Sequence, residues 1–235
     1  MSIWQFVKRV TQSAASGVGG MVEAVRTLFG GDPQLRRRVA FSVAMIALSA
    51  KMAKADGVVS QDEIRAFQQI FEIPAPERRN VARLYDLAKQ DVAGFEAYAR
   101  RMASLCGSGH ANCAMLEDIL DGLFHIAKAD GRVSPAESEF LRSVAATFGF
   151  SDAEFQRIRA GHLGPDMADP YAVLGVTRAA SDKEIKAAWR KLIRETHPDR
   201  LIAEGLPKEF IDLATEKVAI VNAAYDQVAK ERGLA

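Results

Sequence analysis

One phrase of eleven residues occurs twice in this chain, and it constrains the fold more than any other feature. Residues 53–63 read AKADGVVSQDE, and 74 positions later residues 127–137 read AKADGRVSPAE, with eight of the eleven positions identical. Each copy follows apolar residues at helical spacing: Val43, Ile46, Ala47 and Ala50 before the first, Leu116, Ile119, Leu120 and Leu123 before the second. Each precedes another such run: Ile64, Phe67, Ile70 and Phe71, then Phe140, Leu141, Val144 and Ala145. The repeating unit is therefore helix, tight turn, helix. Gly57 and Gly131 suit a left-handed C′ position closing the first helix of each pair. Ser60 and Ser134 then stand as N-caps with Glu63 and Glu137 at N3, a reciprocal capping box, and Pro135 suits N1.

The same carboxylates raise a metal reading. Asp56-Gly57-x-Val59-Ser60-x-x-Glu63 overlays the second half of an EF-hand loop. The first half fails, because its ligand slots fall on Met52 and Lys54 in one copy and on Ile126 and Lys128 in the other. What remains is a looser divalent-metal expectation at Asp56, Glu63, Asp130 and Glu137, should the repeats pack as a pair. Turn and cap chemistry accounts for these residues without a metal, and no cofactor is expected. Cys106-x3-His110-x2-Cys113 offers three soft ligands among glycines but no fourth partner, so a loop is favoured over zinc. His125 occupies the repeat position that Lys51 holds in the first copy, which argues against a shared ligand role.

Composition narrows the class. At 235 residues, 49% hydrophobic and 26% charged, the chain is an ordinary globular protein of one large or two modest domains. The run Val39 to Ala50 is too short to span a bilayer and reads as a buried core helix. Near the front, Ile3, Phe6, Val7 and Val10 form an amphipathic stripe beside Lys8 and Arg9, and Gly17, Gly19 and Gly20 break the helix after it. The stripe either docks on the following domain or makes a peripheral membrane contact through residues 3–10, on the cytoplasmic face of the inner membrane. Two cysteines and no secretory leader point to a cytoplasmic setting.

A second unit begins after the turn-rich stretch Gly161 to Asp166. From Asp169 the chain reads DPYAVLGV, a long helix capped by Ser181 with Glu184 at N3, then His197-Pro198-Asp199, and a final helix through Arg232. On the long helix Ile185, Ala188, Trp189, Leu192 and Thr196 share one side. Lys183, Lys186, Arg190 and Arg194 fall within an arc of roughly 80° on the other. The apolar side should meet Phe210, Leu213, Val221, Ala224, Tyr225 and Val228 of the final helix, with Tyr171 and Leu174 closing one end. Pro198 disfavours helical dihedrals at His197 and so forces an exposed corner carrying an imidazole and a carboxylate.

This constellation resembles a J domain. Tyr171, Leu174 and Gly175 resemble its first helix, Lys186 to Arg194 its basic second helix, His197, Pro198 and Asp199 its signature, and Asn222, Ala224 and Tyr225 its third. The duplicated acidic turns resemble the TerB-like helical domain, a family linked to metal binding and tellurite response. A TerB-like domain ahead of a J domain, together with HPDRLIAEGLPKEF, is similar to the DjlA type of J-domain co-chaperone. The departure is at the front, where that type carries a membrane-spanning segment. The expected layout is all-α: residues 1–31 an amphipathic segment and Gly-rich linker, 32–162 a TerB-like bundle with repeats around 43–71 and 116–150, 163–168 a linker, and 169–235 the J-domain hairpin.

The resemblance implies binding to ATP-loaded Hsp70 (DnaK in bacteria) through His197, Pro198, Asp199, Lys183, Lys186, Arg190 and Arg194, with stimulation of the partner's ATPase and unfolded or regulatory proteins as clients. The chain itself would be no enzyme, since His197 and Asp199 have no nucleophile, metal set or pocket around them. The rival reading is a metal-responsive or envelope-stress scaffold that uses the J domain only as a docking handle. Nucleic acid is disfavoured: the basic face has no interleaved aromatics, and residues 169–235 carry 11 basic against 11 acidic groups.

Overall fold

A computed structural model describes residues 33–56, 61–70, 73–90, 95–104, 114–163, 168–204 and 208–234. The described residues form helices and no strands, in agreement with the all-α expectation. They divide into two compact units, Met1–Gly149 and Phe150–Ala235.

In the first unit, α1 (Pro33–Asp56) is the element around which the others pack. Its middle is buried on every side: Phe41, Met45, Ile46, Leu48 and Met52 are at most 1% exposed, and Ser42, Ser49 and Lys51 are buried with them. A helix buried all round can only be central. α2 (Gln61–Ile70), α3 (Arg78–Gln90), α4 (Phe95–Ser104), α5 (Ala114–Ala127) and α6 (Pro135–Phe148) surround it, and a short 3-10 turn at Ala75–Glu77 leads into α3. α1 packs on α3, α4, α5 and α6, while α2 packs on α5. The two repeats supply α1–α2 and α5–α6.

The second copy of the phrase shows how its turn is built. Ser134 caps α6: its Oγ accepts the Glu137 N–H at 3.2 Å, and Glu137 Oε2 accepts the Ser134 N–H at 2.8 Å, with Pro135 at the first helical position. Gly131 has φ +98°, as expected of a left-handed residue. Its place is different, however. α5 ends at Ala127, and Gly131 closes the following turn by donating its N–H to the Lys128 carbonyl, so it is not the C′ residue of α5. In the first copy Gly57 and Ser60 lie outside the described residues, as do the Ile3 to Val10 stripe and the Cys106, His110, Cys113 cluster.

The second unit is built on α11 (Lys208–Arg232), against which α8 (Pro170–Leu174), α9 (Asp182–Thr196) and α10 (Pro198–Glu204) all pack. Tyr171, Val173 and Leu174, Ile185 and Leu192, and Val221, Ala224 and Val228 make one core, with Trp189 and Tyr225 packed on its edge. The two rings stack at 4.5 Å between centroids and 17° between planes, and Trp189 Nε1 donates to Asn222 Oδ1 at 2.9 Å. Such a pair ties α9 to α11 by both area and a satisfied polar tip.

α7 (Asp152–Ala160) packs on α8, and its Ala160 joins the core of the second unit. The contact is close: a Cβ on Gly175, whose φ is +69°, would lie 2.8 Å from Arg157 Cδ.

Candidate functional site

α9 owes its position to its two faces. Ser181 Oγ accepts the Glu184 N–H at 3.3 Å while Glu184 Oε2 accepts the Ser181 N–H at 2.7 Å, the capping box read from the sequence. Hydrogen bonds from the Ser181 side chain and backbone hold the Glu184 carboxyl below its ordinary pKa. Ile185, Leu192 and Thr196 are buried, whereas Lys183, Lys186, Arg190 and Arg194 are exposed. Among the described residues no carboxylate pairs with any of these four cations. The ion pair within this helix, Lys191 with Glu195 at 4.0 Å, involves none of the four.

α9 stops at Thr196, whose hydroxyl donates back to the Leu192 carbonyl at 2.7 Å. His197 takes φ −59° and ψ 132°, the extended conformation that a following proline imposes. Pro198 then starts α10 immediately, so the corner joins two helices with a single non-helical residue. His197 caps the new helix: its Nδ1 accepts the Asp199 N–H at 3.2 Å. A neutral ring that accepts at Nδ1 carries its proton on Nε2, where it can donate. Asp199 Oδ2 lies 3.5 Å from the same Nδ1. The side chains of His197 and Asp199 are 49% and 82% exposed, so the corner points to solvent and not into the core.

Sequence reasoning missed three parts of this arrangement. No helix is assigned to residues 198–204 from the sequence, although proline at N1 is a recognised start signal. Arg200 Nε donates to the Glu195 carbonyl at 2.8 Å, tying the first turn of α10 to the end of α9. At the other end of the unit, Arg232 donates to Tyr171 Oη at 3.2 Å, to the Ala180 carbonyl at 2.7 Å, to Asp182 Oδ1 at 3.0 Å and to the Arg178 carbonyl. The hydrogen bond to Tyr171 and then the one to Asp182 raise its pKa further. Arg178 lies 4.6 Å from the Tyr171 ring centre and pairs with Asp169 at 3.0 Å. No spacing rule connects residue 171 to residue 232.

The carboxylate quartet fares differently. Glu137 is 4% exposed and spends an oxygen on its cap, and Asp130 Oδ1 accepts the Arg132 N–H at 3.3 Å. The side chains of Asp56 and Glu63 are outside those described. Among the described residues no group of three or more His, Cys, Asp or Glu could hold a metal ion. The first unit also has a groove of about 760 Å³ lined by apolar residues such as Met52, Phe67 and Val81 together with Ser49. Its lining contains no His or Cys. No helix among the described residues is long and apolar enough to cross a membrane.

Comparison with known proteins matches two families in order. Residues 42–160 match the family described as tellurite resistance protein TerB, and residues 169–232 match the DnaJ domain. The TerB match thus ends on the last residue of α7, the helix whose contacts lie with the second unit. Over most of its length the chain is similar to proteins named co-chaperone protein DjlA. The one from Photobacterium profundum is 32% identical over 223 residues, covering 84% of this chain and 79% of that protein. The one from Coxiella burnetii is 32% identical over 203 residues, covering 78% and 74%. That of Vibrio vulnificus is 30% identical, covering 87% and 83%. No solved structure matches.

Proposed function

Because the chain belongs to the DjlA family of J-domain co-chaperones, we propose that its second unit binds the ATP-loaded state of an Hsp70 and accelerates that partner's ATP hydrolysis. The observation that carries this is the solvent-facing His197-Pro198-Asp199 corner beside four exposed cations that have no carboxylate partner among the described residues. Lys183, Lys186, Arg190 and Arg194 meet an acidic groove on the partner, speeding encounter and setting orientation more than adding affinity. Nε2–H of His197 and the carboxylate of Asp199 then supply a donor and an acceptor held side by side on one corner. They favour the partner's hydrolysing conformation by differential contact, not by proton transfer. The chemistry remains the partner's, and this chain is no enzyme. Clients are captured by the Hsp70.

Steady-state ATP turnover by DnaK tests the reading. Turnover rises with the intact chain and stays at its basal rate with His197→Gln. A glutamine has no ring nitrogen to accept the Asp199 N–H, and so no rigid ring to aim a second nitrogen's N–H outward. Equal turnover with and without the intact chain overturns the proposal.

A further inference from the structure

The corner continues along α10 into an apolar step. On a helix of about 100° per residue, Asp199, Ile202 and Ala203 share one face, within an arc of about 100°. Leu201 lies on the opposite face and is 1% exposed where α10 packs on α11. Asp199, Ile202 and Ala203 are all exposed. Ile202 is 56% exposed, against 37% for Ile64 and 39% for Leu163, the other large apolar side chains exposed among the described residues. A single exposed isoleucine is ordinary on a protein surface. This one differs in where it is held. Leu201 anchors the inner side of α10, Arg200 fastens its first turn to the Glu195 carbonyl, and His197 caps it. Ile202 is therefore presented in a fixed position one turn from the Asp199 carboxylate.

We infer that Ile202, supported by Ala203, is an apolar contact for the same Hsp70 surface that receives the corner. The inference rests on the function proposed above and adds a residue and a role to it. The partner surface it fits places an apolar depression next to the acidic groove, one helical turn away from the site that receives Asp199. The two kinds of contact divide the work. Charges act over roughly a Debye length of 8–10 Å and guide approach. An apolar contact acts only once water is excluded, so it sets how long the complex lasts.

The test uses the full chain and ATP-loaded DnaK, comparing wild type, Ile202→Ser, Ile202→Leu and His197→Gln by association and dissociation rates and by ATP turnover. Ile202→Ser should dissociate about tenfold faster, with the half-stimulating concentration raised about tenfold and maximal turnover retained. Its association rate and salt dependence should match wild type. Ile202→Leu should restore slow dissociation. Because the side chain is solvent-exposed, the melting temperature of Ile202→Ser should stay at the wild-type value, separating lost contact from lost fold. Wild-type dissociation by Ile202→Ser, or a loss confined to the association rate, overturns the inference while leaving the His197-dependent stimulation standing. Absence of binding and stimulation by wild type removes both.

Discussion

His197 has two tasks, and they use different ring nitrogens. Nδ1 holds the start of α10 through the Asp199 amide, while Nε2–H is left for another molecule. Asparagine at 197 therefore makes an informative substitution: a short amide side chain is a good cap, so Asn should preserve α10 yet fail to stimulate DnaK. Retention of stimulation by His197→Asn would show that the cap alone matters. Arg200 acts through geometry. Arg200→Ala removes the bond to the Glu195 carbonyl and should cost about 1 kcal/mol in urea unfolding, with a several-fold rise in half-stimulating concentration. At Gly175 the constraint is doubled, because φ is +69° and Arg157 Cδ stands where a Cβ would go. Gly175→Ala should lose about 1–2 kcal/mol by the same measurement. The His197-Pro198-Asp199 corner is legible in its own local pattern, since a proline after a histidine dictates local backbone, and Gly175 only through the family resemblance. Arg200 and Arg157 act through atoms brought close by packing, which no local pattern records.

Caps were the most readable elements, and they carry quantitative expectations. Ser134→Ala should destabilise the first unit by about 1 kcal/mol, read by chemical unfolding, because it strands the Glu137 amide at the start of α6. Ser181 and Glu184 add a pH signature. The folded-state pKa of Glu184 lies below its unfolded value, so its contribution is complete above the ordinary glutamate pKa of about 4.3 and is lost as pH falls through the folded value. Glu184→Gln should remove that acid-side slope from unfolding curves while leaving the curve flat near neutrality. A wild-type slope in Glu184→Gln would refute the assignment. Capping residues are visible in sequence because they act within three or four positions. Gly131 shows the limit of that logic: its left-handed dihedral was foreseeable, but α5 stops at Ala127, four residues before the glycine and too early for it to be the C′ residue. α7 shows another. Its own pattern says helix and nothing about which unit it joins, a matter decided by Ala160 and Arg157 against partners further along the chain.

At the scale of the whole molecule, the order of units followed from two local signatures, the duplicated phrase and the histidine corner, which is why the architecture could be read without any long-range information. Net charge is only +1, so no broad field draws an acidic partner in, and steering must come from the strip on α9. Replacing Lys186 and Arg190 together by Glu should slow association with DnaK at low salt by about tenfold or more and flatten its ionic-strength dependence, with little change in dissociation. A change in dissociation alone would count against that role. The strip also has a consequence for the unbound molecule. Four like charges with no carboxylate partner among the described residues repel one another, which should weaken the outer face of α9 whenever the protein is alone. An acidic surface relieves that repulsion, so amide hydrogens of α9 should exchange more slowly in the complex even at positions the partner never touches.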